Sequence, residues 1–380
     1  MNSRERVLAA LKHEEADRIP IHDSPWAATI ARWYKEGLPS DVSPADYFGY
    51  ELVSFGADCS PRFPVRILEE TAEYIIETTP FGGIRRNHKD FSTTPEVIDY
   101  PCKSRSDWER IKERLKPSKD RVDWAGTSLQ EIKERYGADS VCIAGRAQRR
   151  IGLEGCRQAR EAGKFVCYSA AVGYDLLQSY VATERLLIAI ATEPDWVRDM
   201  YETTATLAIE MCEIMRQGGF AFDGAFLFCD LGYRNGLLFS PRHFEEQLHP
   251  TFQRLFDYFN QNHMPVILHS CGNVRMLIPY FIKEGLSCLQ PLEVKAGMDL
   301  VALKEQWGDK LAFMGGIDVR NMAADDPKLI EEEIKAKIPL AKRGGGYIYH
   351  SDHSIPNNVS LAQYKRVLEL VSKYGGYDRK

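Results

Sequence analysis

Three things are scarce in this 380-residue chain, and each scarcity narrows what it can do. No run approaches the ~18 consecutive apolar residues that a helix needs to span a bilayer. Basic residues are concentrated only in "RAQRR" (146–150), and the formal charge is -5. Neither suits a nucleic-acid partner, which calls for a basic face to meet phosphates. Cysteine forms no framework: nine thiols, an odd number, are scattered without a single CxxC pair in a chain large enough to build its own core. Most are expected to be small buried hydrophobes in a reducing cytoplasm. The opening stretch, "MNSRERVLAALKHEEADRIP", reads as an amphipathic helix with acidic residues, unlike a secretory or transit signal.

What the chain does have is a repeat of short apolar runs, loops and helix-period segments. The runs are "SVCIAG" (140–145), "FVCYSA" (165–170), "GAFLFCD" (224–230), "PVILHS" (265–270), "LSCLQPLE" (286–293), "LAFMGGID" (311–318) and "GYIYHSDH" (346–353). "RIPIHD" (18–23) makes eight. Strands alternating with helices, and apolar almost throughout, predict a parallel sheet covered on both faces. Eight of them predict a single-domain (β/α)8 barrel over residues 1–380. Helices are expected at 195–219, ending in a glycine pair, and at 240–262, where Ser240 serves as N-cap and Pro241 opens the first turn. Residues 51–103 break the repeat. Their alternation around Pro80-Phe81-Gly82-Gly83 predicts an N-terminal β-hairpin insertion, which either roofs a barrel mouth or is an inert excursion.

Polar groups gather where these strands end. His22 and Asp23, Tyr168 and Ser169, Asp230, His269 and Cys271, Gln290 and Glu293, Asp318, and His350, Asp352 and His353 all follow apolar runs. In a barrel, those ends converge on the face that carries catalytic groups. His269 and Cys271 lie two apart, as half of a metal site or as packed core. Zinc catalysis takes three protein ligands and an open position. The third candidate is His353, with His350 and Glu293 behind it.

Four segments carry a family likeness: "RERVLAALKHEEADRIPI", "SPRHFEEQLHPTFQRLFDYFNQNHMPVILHSCGNV", "PLEVKAGMDLVALKEQWGDKLAFMGGID" and "HSDHSIPNNVSLAQYKRVLELVSKYG". Together they resemble the uroporphyrinogen decarboxylase superfamily nearly end to end, which implies one (β/α)8 barrel. The superfamily holds porphyrinogen decarboxylases and cobalamin-dependent methyltransferases. The decarboxylases share an Arg-Gln-Ala-Gly-Arg signature near the N-terminus. This chain has "IHDSPWAATIARW" there, and only a displaced partial echo in "CRQARE" (156–161). The likeness therefore implies the methyltransferase branch, whose zinc is held by His-x-Cys and a cysteine on the last strand. His269 and Cys271 match the first two, and His353 stands at the third position.

On that resemblance, the chain is expected to move a methyl group from a methoxylated, aromatic small molecule to a corrinoid on a partner protein. Zinc would be held by His269, Cys271 and His353. Glu293 or Asp230 would act as acid, orienter or further ligand. His22, Trp26, Tyr168, Asp318 and His350 would shape the substrate pocket. Corrinoid-to-thiol transfer, decarboxylation of a smaller substrate and a non-enzymatic binding barrel stay open as alternatives. So does a homo-oligomer, which no heptad or swapped segment announces.

Overall fold

The computed structural model describes residues 1–90, 94–126, 131, 134 and 152–377. Seven parallel strands form one curled sheet: β1 (Leu52–Phe55), β6 (Phe165–Ala171), β7 (Gly224–Phe228), β10 (Val266–His269), β11 (Cys288–Gln290), β12 (Ala312–Met314) and β13 (Tyr347–Ile348), in that spatial order. The two edges are bridged by residues 19–22. His22 N–H donates to the Tyr349 carbonyl (3.0 Å), Tyr349 N–H to that of Pro20 (2.9 Å), and Glu51 N–H to that of Ile21 (2.9 Å). Proline at position 20 offers no N–H, so the bridge is made of isolated contacts rather than a continuous ladder. Six of the eight expected strands are strands of this sheet, and "RIPIHD" supplies the bridge. The run 140–145 lies outside the described residues.

One expectation is corrected. Residues 51–103 are not wholly an insertion, because Leu52–Phe55 belongs to the barrel wall and pairs in parallel with Phe165–Tyr168. The excursion proper is a four-stranded antiparallel sheet of β2 (Ile67–Glu70), β3 (Tyr74–Thr78), β4 (Ile84–His88) and β5 (Glu96–Asp99), with the expected turn at Pro80–Gly83 joining β3 to β4. A small hairpin, β8 (Gly232–Tyr233) and β9 (Gly236–Leu237), stands on the rim after β7.

The core has two shells because strand side chains alternate. Inside the barrel, Leu52, Phe165, Cys167, Phe226, Ile267, Cys288, Ala312, Met314 and Ile348 make one buried cluster. Outside it, their strand neighbours, such as Val166, Leu227, Leu268 and Phe313, pack against the helices. The N-terminal helix, Ser3–Leu11, is capped by Asn2 and Glu5 and sends Val7, Ala10 and Leu11 into the inner cluster. On the same helix, buried Arg6 pairs with Glu51. Glu51 also accepts Ile21 N–H at 2.6 Å and a guanidinium N–H of Arg18 at 3.0 Å. One buried carboxylate thus ties the plug, the bridge and β1 together.

The long helix Pro194–Gln217 stops at a glycine pair whose second member, Gly219, takes φ +106. Ser240 caps the next segment by accepting His243 N–H, and a five-residue π turn at Phe244–Leu248 precedes the helix His249–Gln261. Among the described residues, no helix is long and apolar enough to cross a membrane.

Candidate functional site

Strand periodicity delivers the site. In β7 the inward residues are Phe226 and Phe228, and the next position of that parity is Asp230. In β10, inward Ile267 is followed by His269 and then Cys271. Register pairs Phe228 with His269, so Asp230 comes to lie beside Cys271. The Asp230 carboxylate accepts Cys271 N–H at 2.8 Å and lies 3.4 Å from His269 Nε2, which is 3.3 Å from Cys271 Sγ. One donor atom from each residue falls within 4.8 Å of the others. Zinc bond lengths and a tetrahedral angle require about 3.6 Å between sulfur and nitrogen and about 3.3 Å between nitrogen and oxygen. The donor set therefore fits a zinc ion in both chemistry and spacing.

The imidazole is oriented for this role. Its Nδ1–H donates to Gln290 Oε1 at 2.5 Å, which leaves the Nε2 lone pair facing Asp230 and Cys271. The Gln290 amide N–H₂ lies 3.4 Å from His350 Nε2, and His350 Nδ1–H donates to the Ser351 carbonyl at 2.7 Å. Read from Ser351, every donor in the chain meets an acceptor and each tautomer is fixed. Burial pushes His269 down, partly offset by Asp230 and by Gln290. Burial, with Asp230 and Glu293 adding to it, pushes the Cys271 thiol far above its usual range. A dication beside it would reverse that balance and hold a thiolate.

The sequence profile of uroporphyrinogen decarboxylase (URO-D) matches residues 159–374, more than half of the chain. The protein belongs to the URO-D family. A methyltransferase from Methanosarcina mazei shares the fold, with 16% identity, a TM-score of 0.63, and coverage of 98% of this chain and 99% of that one. A putative vitamin-B12 independent methionine synthase from Listeria monocytogenes overlaps more loosely, at 13% identity over 59% of this chain and 70% of that one, with a TM-score of 0.35. A search of curated sequences finds no match.

Around the cluster, this URO-D family member fixes its rim with carboxylates. Glu293 accepts Gly272 N–H at 2.7 Å and pairs with Lys295 at 2.9 Å. Gly272 holds φ +77, and a Cβ there would come within 2.3 Å of the Gly232 backbone, so the turn after Cys271 admits only glycine. Asp352 accepts the N–H groups of Val294 and Val319, both at 3.0 Å; burial nevertheless pushes it up to about 6. Asp175, in the helix Gly173–Gln178, is pushed up to about 7 by burial and then by Asp230. Sequence reading missed Asp175, because nothing in "GYDLLQ" marks a carboxyl that folds in beside Asp230.

The remaining expected residues divide. His353 is half-buried and outside the group whose donors lie within 4.8 Å, although its charge is felt at His269. His350 reaches the cluster only through Gln290. His22 sits with its ring centroid 6.0 Å from that of His350; its Nδ1 is buried without a hydrogen-bond partner, and burial pushes the ring down to about 3. Half-buried Trp26 begins the helix Ala27–Lys35. Asp318 turns to Arg320 at 2.6 Å and caps the short helix Val319–Met322. Tyr168 is a correction. It has outward parity on β6, its hydroxyl donates to the Ala208 carbonyl at 2.7 Å, and its ring packs on Phe222 and Phe259 in the helix layer. The aromatic side chain actually beside the cluster is Phe228, half-buried, with its ring centroid 5.2 Å from that of His269.

Proposed function

We propose that this protein is a methyltransferase that takes a methyl group from a methoxylated aromatic donor and passes it to a corrinoid carried by a partner protein. The observation that carries this reading is the spacing of Asp230, His269 and Cys271, which together would hold zinc and leave its fourth position open. The fold shared with the Methanosarcina mazei methyltransferase supports it.

In the transfer, the methyl–oxygen bond would break as the methyl group passes to the nucleophile that the partner's corrinoid would supply. The oxygen keeps the electron pair and leaves as a phenolate, which then takes a proton. Zinc, when bound, supplies positive charge against that departing oxygen. The chain's own residues do the rest. Gln290 and His350 hold His269 in one tautomer. Phe228 offers an apolar face beside it. Asp175, pushed up to about 7 by burial and by Asp230, would be the acid that returns a proton to the phenolate.

The test is metal analysis of the purified protein together with a demethylation assay on methoxylated aromatics and a reduced corrinoid protein. About one zinc per chain, with transfer abolished by chelation and restored by zinc, is expected. Transfer indifferent to chelation, or absent with every such donor, overturns the reading.

A further inference from the structure

A cavity of about 740 Å³ opens on the same rim, between the antiparallel sheet and the ends of β1 and β6. Its charged wall groups among the described residues already have partners within the protein, Asp123 accepting Gly126 N–H at 3.0 Å. Arg85 pairs with Glu77 at 2.9 Å, and Asp58 with Arg62 at 2.9 Å. The Arg121 guanidinium is spent on four carbonyls, those of Arg114, Lys116, Asp58 and Ser60. The remaining surface is mainly apolar, with Phe81, Val97, Tyr100 and Leu176 prominent, and Thr79 and Ser169 add neutral hydroxyls.

Register links this space to the cluster. Ala171, on the cavity wall, pairs with Phe228, and Phe228 pairs with His269. Two strand spacings separate Ala171 from His269, about 10 Å. Phe228 stands between them in strand order.

We propose that this cavity seats the body of the methyl donor, and that the donor is an uncharged aryl methyl ether of more than one ring, laid across Phe228 with its methoxy end at the cluster. This rests on the methyltransferase reading and names its substrate class. The volume falls within the range of about 300–1,000 Å³ that drug-sized ligands fill, far more than a single methoxylated ring occupies. Among the described residues, the wall's guanidinium groups already hold acceptors of the protein, so a carboxylate on the donor would lose water without a hydrogen-bonded cation in return. Aromatic walls favour offset or edge-on ring packing.

The test is binding to the purified full chain, without corrinoid, read by the fluorescence of 2-methoxynaphthalene and its charged counterpart 6-methoxy-2-naphthoate. The neutral compound is expected to bind saturably, and the carboxylate on the order of tenfold or more weaker. Val97→Glu, on an exposed edge strand, places a charge in the roof and should weaken the neutral ligand by a similar factor. Ile98→Glu, of opposite parity on the same strand, should leave binding intact. Tighter binding of the carboxylate, binding of neither compound, or indifference to Val97→Glu overturns the proposal. Naphthalene binding without any methyl transfer would leave the cavity standing and remove the methyltransferase reading. Transfer from a single-ring methoxybenzoate without naphthalene binding would do the reverse.

Discussion

Replacing Gln290 by leucine separates the orientation of His269 from the identity of the metal ligands. The amide is 4% exposed and joins two imidazoles, accepting from His269 Nδ1 and facing His350 Nε2. Leucine fills similar space and removes both contacts. His269 can then rotate or change tautomer, and its Nε2 lone pair is no longer held toward Cys271. Loss of such an outer partner costs about 10- to 100-fold in metal affinity, or about 1.4–2.7 kcal/mol. Independently of metal, a buried N–H left without an acceptor lowers folding stability by about 1–3 kcal/mol. Zinc affinity would be measured by competition with a chelating dye, and stability by urea unfolding of the metal-free protein. Cobalt substitution should still show a thiolate band from Cys271. Gln290→Glu restores the acceptor and should return affinity to within a few-fold of the parent. A leucine variant with unchanged zinc affinity would refute the orienting role, whatever its stability.

Four further outcomes follow from the contacts. Asp230→Ala should weaken cobalt or zinc binding more than His353→Ala, as judged by titration, because Asp230 lies within the compact donor group and His353 outside it. Glu51→Ala, which leaves the buried Arg6 guanidinium only Asp17 (2.7 Å) as a carboxylate partner and frees Ile21 N–H, should cost about 1–3 kcal/mol in urea unfolding and speed amide exchange along the bridge. Tyr168→Phe should cost about 1 kcal/mol while leaving metal affinity unchanged, as an outer-layer residue must. Burial pushes the Glu284 carboxyl, beside His249, from its ordinary 4.5 up to about 9. From about pH 4.5 to 9 the unfolded chain has lost a proton that the folded chain keeps, so stability contributed by this group falls as pH rises through that window. Glu284→Gln should flatten the decline in urea midpoint between pH 6 and 8.5.

The strands from residue 165 onward could be read from the sequence because each is a bounded apolar run, buried on both faces. Leu52–Phe55 could not. It is four residues long and abuts a hairpin that shares its period of two, and its identity rests on pairing with Phe165–Tyr168, remote in sequence. The candidate metal cluster was half legible. His269 and Cys271 share a face by parity alone, whereas drawing Asp230 in as a donor needs the register between β7 and β10. Gln290 carries no charge and no metal-ligand chemistry, so nothing in the sequence marks it as the group that orients His269. Tyr168 failed for the opposite reason, since nearness to a strand end was taken for inward parity. His353 lies where parity has lapsed: beyond β13 the chain bends so that the Ser351 hydroxyl reaches both the Asp23 carboxylate and the His353 carbonyl.

Most of the cavity wall comes from residues 56–123, inserted within a single crossover between β1 and β6, while the donor atoms are all encoded after residue 228. On the proposed function, choice of guest and power to react would be written in different halves of the gene product. Exchanging the first stretch among relatives would retarget the molecule and leave its reactive centre untouched.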